Sequence, residues 1–188
     1  MLATPKVSIL PLIREALGMT DDSYEYVYLS DGGHFENLGL FEMVLRRCHL
    51  IVVSDAGSDP LCTFEDLANA IRKVRVDLGV PITIDQKIKI RPRSTDGRSP
   101  GFEDAVSFAV GTIHYTAVDI DGVDGHLIYV KPTFYGGEPV DVLNYALAHA
   151  VFPHESTADQ FFSESQFESY RQLGLYTIMT VLGPARRC

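Results

Sequence analysis

Apolar and polar positions along this chain follow two periods. Phe41, Val44, Leu45 and Cys48 recur at the i, i+3, i+4, i+7 spacing, which predicts a helix over 38–48 with one buried face. Asn37 is its expected N-cap, and Arg46 and Arg47 in its last turn suit the helix dipole. Leu67, Ala70, Ile71, Val74 and Leu78 repeat the pattern. They predict a second helix that Thr63 caps, with Glu65 and Asp66 in its first turn, Gly79 at its end and Pro81 blocking continuation. A short apolar run precedes each helix, Tyr26–Leu29 and Leu50–Val53. A helix of about a dozen residues between two strands predicts parallel pairing by a right-handed crossover. Strands at 26–30 and 50–54 are therefore expected in one sheet.

Further along, the period falls to two. Ile82-Thr83-Ile84 and Ile88-Lys89-Ile90 alternate like strand residues. Val106–Val118 and His126–Lys131 read as an antiparallel hairpin about a turn at Asp121–Gly125. Residues 5–18 read as a loop and a short helix ending near Gly18, and Asp141–Ala150 as another short helix. Residues 159–182 read as helical with a break at Gly174, and Phe162, Tyr170, Leu173 and Ile178 as core contacts. The run Pro92–Gly101, rich in Pro, Gly, Ser and charge, is the clearest exposed loop. Strands alternating with helices, then a hairpin and more helices, imply an α/β sandwich.

A chain of 188 residues fits one domain, 1–188, or the larger part of one. Its formal charge of −9 excludes nucleic acid as a partner and any attraction to anionic membranes, leaving local apolar surface for lipid contact. Cys48, Cys62 and Cys188 form no C-x-x-C pair and an odd count, as expected of reduced thiols in a cytoplasmic setting. No apolar run reaches spanning length, and Val7–Ile13 lacks the basic start and cleavage site of a signal peptide.

The candidate chemistry gathers where strands end. Ser30-Asp31-Gly32-Gly33 closes the first strand and Ser54-Asp55-Ala56-Gly57 the second, at the sheet edge where open α/β folds place ligands. Asp31 is the leading candidate, although a lone Asp-Gly-Gly often does no more than cap its own turn. Asp55 reads as structural, and His34 as a hydrogen-bonding loop residue before a reactive one. His154-Glu155 opens like a zinc motif, but Ala158 stands where the second histidine belongs, so no metal and no cofactor is expected there. Gly97-Arg98-Ser99-Pro100-Gly101 matches G-x-S-x-G by accident, because Pro100 lacks the N–H an oxyanion hole needs.

The block Leu29-Ser-Asp31-Gly32-Gly33-His-Phe-Glu-Asn-Leu-Gly39 resembles patatin-like phospholipases, specifically a bacterial branch of them. The likeness continues through Arg46-Arg47-Cys48 and Ile51–Gly57, and resumes at Phe152–Gln160 and Glu164–Arg171. The resemblance implies a three-layer α/β/α sandwich that hydrolyses lipid esters with a serine–aspartate dyad. In such proteins the serine elbow and the glycine-rich oxyanion loop lie amino-terminal to the Asp-Gly-Gly motif. Asp31 matches the dyad aspartate, the proton acceptor, and Gly32 and Gly33 match the rest of the motif. The 30 residues before Asp31 hold neither elbow nor oxyanion loop. The expectation is therefore the carboxyl-terminal part of a patatin-like domain, inactive alone, acting on a lipid or ester substrate in the complete chain. Two rivals stand beside it: a Mg²⁺ site for phosphoryl chemistry at Asp31, Asp55 and Asp59, and a non-catalytic partner-binding domain.

Overall fold

A computed structural model describes residues 9–19, 31–85, 87–93, 106–156 and 158–183. The chain divides into two compact units, Met1–Asn37 and Leu38–Cys188. The expected strand at 26–30, and with it the pairing to 50–54, lies outside the described residues, as does the loop carrying Ser99.

In the first unit, α1 (Ile9–Ala16) ends just before Gly18, whose φ of +65° closes the helix as expected. A 3-10 turn follows at Gly32–His34.

The second unit is a mixed α/β fold with helices flanking a four-stranded sheet. Its strands are β1 (Leu50–Ser54), β2 (Ile82–Ile84), β3 (Phe108–Ile113) and β4 (Gly125–Val130), in the order β1-β4-β3-β2. β3 and β4 form the expected antiparallel hairpin, and β1 adds to β4 in parallel. β3 stops at Ile113, and a 3-10 turn at Tyr115–Ala117 replaces the expected strand end. Asp124 explains the early turn, because its carboxylate takes the Thr116 N–H at 3.0 Å and the Thr116 hydroxyl at 2.8 Å. Ile88 and Ile90 do turn inward on alternate positions, yet among the described residues they form no ladder, so that expected strand is corrected to a segment without regular secondary structure.

Two helices, α2 (Leu40–Leu45) and α3 (Glu65–Leu78), cover one sheet face. Leu40, Val44, Leu67, Ala70 and Val74 pack with Ile51, Val53, Leu127, Tyr129 and Ile113. α2 is shorter than expected, Leu45 is exposed, and its N-cap is Gly39 at φ +68° in place of Asn37. Arg47 ends it by taking a left-handed conformation and donating to the Val44 carbonyl and to Asp119. The cap of α3 is corrected too: Phe64 occupies the N-cap position, and the Asp59 carboxylate accepts the N–H groups of Thr63 and Phe64 at 2.9 Å each. On the opposite sheet face Val52, Ile128 and Val110 form a row in register across three strands, with Val52 and Val110 exposed.

A second apolar cluster joins α4 (Val140–Ala148) and α5 (Glu164–Leu182) through Phe134, Val142, Tyr145, Phe152 and Leu173. The Arg93 guanidinium closes the end of α4 by donating to the carbonyls of Ala146, His149 and Phe152. α5 begins at Ser163, whose hydroxyl accepts the Gln166 N–H, and it runs through Gly174 without a break. Phe162 consequently lies outside the helix and is exposed, against the expectation of a core contact. No helix among the described residues is long and apolar enough to cross a membrane.

The sheet is intolerant at Gly111, where an added Cβ would stand 2.6 Å from the Thr83 carbonyl oxygen. Backbone on the edge strand β2 would have to move. Gly111→Ala should therefore cost about 1–3 kcal/mol, read as a lower urea midpoint with an unchanged slope. A midpoint within error of the parent would show that β2 moves aside freely.

Candidate functional site

Two aspartate motifs are built differently. Asp31 sits in extended backbone (φ −61°, ψ 129°) and caps the 3-10 turn, its Oδ1 accepting the Gly33 N–H at 2.9 Å. A Cβ at position 33 would lie 2.6 Å from Asn37 Oδ1 and 3.3 Å from Asp31 Oδ1, so those two side chains would have to shift to admit one. The Asp31 carboxylate is exposed, and so are Gly32, Gly33 and His34. Among the described residues, the Gly33 N–H thus orients a carboxylate that is exposed. Such a group can accept a proton from a hydroxyl brought to it.

Asp55 belongs to the second unit and is buried, only 2% exposed, just past the end of β1. Its N–H continues the ladder to the Val130 carbonyl, which sets Lys131 beside it at the end of β4. Lys131 is 1% exposed, and its Nζ lies 3.0 Å from Asp55 Oδ2 and 3.8 Å from Asp59 Oδ2. The Tyr129 hydroxyl donates to the same Asp55 oxygen, while Gly57 N–H donates to the other at 2.9 Å. A buried carboxylate requires such partners, because an unpaired charge away from water costs several kcal/mol. The Tyr129 hydroxyl is pushed up strongly by burial and by its bond to Asp55.

Asp59 and His154 complete this corner. Burial pushes the Asp59 carboxyl up, but the bonds from Thr63 and Phe64 and the Lys131 charge outweigh it and hold the group below the usual carboxylate range. His154 is lowered, first by burial and then by the Lys131 charge, and its Nδ1 accepts the Asp59 N–H at 3.4 Å. Cys62 nearby is pushed up to about 11, mainly by burial, which makes it a packed thiol and a poor nucleophile at neutral pH. A cavity of about 250 Å³ opens beside Asp55, Ser58, Asp59, Glu65, Asp66 and Lys131.

Asp55 and Asp59 are thus brought together, but around an ammonium. Lys131 already supplies there the positive charge that Mg²⁺ would bring, and Asp59 is engaged in starting α3. Lys131 and Tyr129 escaped the sequence reading. The signal for them was an apolar strand ending in lysine, Leu127–Lys131, but only its register with β1 gives that lysine a partner. Compared with protein families, with curated proteins and with solved structures, the chain matches none.

Proposed function

We propose that this chain carries the proton acceptor of a patatin-like lipid acyl hydrolase, and that its sheet and helices belong to a three-layer α/β/α sandwich of that kind. In this reading Asp31 takes the proton of a serine hydroxyl as that oxygen attacks a lipid ester carbonyl. When the carbon–oxygen bond to the leaving alcohol breaks, the proton passes to that alcohol. Water then attacks the acyl-enzyme, Asp31 takes its proton, and serine recovers one as the fatty acid departs. The serine belongs to an elbow on an amino-terminal part of the same domain. The observation that carries the reading is the extended block around Ser30-Asp31-Gly32-Gly33, far longer than an accidental Asp-Gly-Gly. The exposed, hydrogen-bonded Asp31 carboxylate supports it.

Turnover of a p-nitrophenyl ester tests it, measured on the 188-residue chain and on the same chain extended through an in-frame upstream elbow. The extended chain should hydrolyse the ester, and the shorter one should not exceed buffer. Turnover by the shorter chain that survives Asp31→Asn would sink the assignment.

A further inference from the structure

The second unit holds an aromatic cavity that the ester chemistry leaves unused. It measures about 360 Å³ and is lined by Ala56, Glu155, Ser156, Phe162, Phe167 and Tyr170. Phe162 is 53% exposed and Phe167 62%, so two phenyl rings are held in water. Tyr170 is the fixed wall: its ring meets the buried Phe152 ring at 4.8 Å, and its hydroxyl accepts the Glu155 N–H at 3.3 Å. Phe162 stands at 73° to Tyr170 with ring centroids 6.4 Å apart.

The one carboxylate of the cavity is also held in place. Glu155 accepts from the Tyr145 hydroxyl at 3.2 Å and from Gln166 Nε2 at 3.1 Å, with His149 Nδ1 at 3.5 Å behind it. Gln166 also reaches the Asp159 carboxylate at 3.5 Å, a second negative charge on the amide that holds Glu155. Aromatic faces and a carboxylate together attract a cation. A quaternary ammonium brings no N–H donors that would need acceptors against the rings.

We propose that this cavity binds a quaternary ammonium group. Its methyls bury apolar surface against Phe162, Phe167 and Tyr170, its charge lies near the ring faces, and Glu155 balances that charge. The chain's net charge of −9 favours the approach of a cation. Binding of this kind stands apart from ester hydrolysis and is measured without turnover.

The test titrates the 188-residue chain with tetramethylammonium chloride, following the ring resonances of Phe162, Phe167 and Tyr170, against sodium chloride at equal ionic strength. Saturable shifts of these rings are expected, weakened at least about fivefold by Glu155→Gln and about threefold by Phe167→Leu. Phe167→Leu should unfold at the parent temperature, and it keeps the cavity apolar while removing the ring face. Choline and phosphatidylcholine vesicles then separate two sources. Displacement of tetramethylammonium by choline without vesicle binding assigns a soluble ammonium compound. Sedimentation with phosphatidylcholine vesicles, reversed by choline, assigns a lipid head group. Shifts that fail to saturate, or octanoate saturating the same rings with tetramethylammonium unable to compete, would overturn the proposal.

Discussion

Lys131→Met should lower the unfolding free energy by about 3–5 kcal/mol, the usual cost of removing one partner from a buried ion pair. The variant leaves Asp55 buried, with Tyr129 and Gly57 as its remaining partners. Methionine fills much of the lysine volume, so the loss is one of charge balance more than of packing. Asp55→Asn added to Lys131→Met should recover about half of the loss, since no charge then needs a partner. Urea unfolding of the single and double variants checks this. A loss below about 1 kcal/mol that Asp55→Asn leaves unchanged would mean that the corner behaves like a surface pair.

The second large effect is chemical. On the proposed reading, in a chain extended through an upstream elbow, Asp31→Asn should reduce ester hydrolysis by about 10²–10⁴-fold, the range that a positioned general base contributes. The substitution isolates basicity. Asparagine caps a turn about as well as aspartate, so the bond from Gly33 N–H survives and the unfolding temperature should hold. Asp31→Ala removes the cap as well and should cost about 1 kcal/mol in stability besides the activity. If Asp31 only shapes the turn, Asp31→Asn leaves turnover untouched. Initial rates with p-nitrophenyl esters and thermal unfolding, taken on the same preparations, separate the two roles.

The parts of the fold that were legible in the chain are those whose cause is local. α3 announces itself through Leu67, Ala70 and Val74 on one face and through Gly79, which takes the left-handed conformation that ends it. The hairpin of β3 and β4 shows in its alternation. What failed depended on partners far along the chain. Thr63 looks like a cap because hydroxyls cap helices, yet Asp59, four residues earlier, reaches its N–H first. Ile88 and Ile90 alternate as a strand does, but alternation reports only burial, and a ladder also needs a neighbouring backbone in register. Lys131 gains its meaning from Asp55, and no local pattern links them.

The strand order has a consequence for synthesis. β1 leaves the ribosome early, yet its partner strand among the described residues, β4, follows only at residues 125–130. β4 can pair with β3 almost as soon as it appears, whereas Leu50-Ile51-Val52-Val53 must wait for that hairpin. Until then an apolar, β-prone segment bearing no charge is open to pairing with other chains. Non-local closure of this kind folds slowly, so yield on expression should depend on temperature and chain concentration more than the stability of the finished fold would imply.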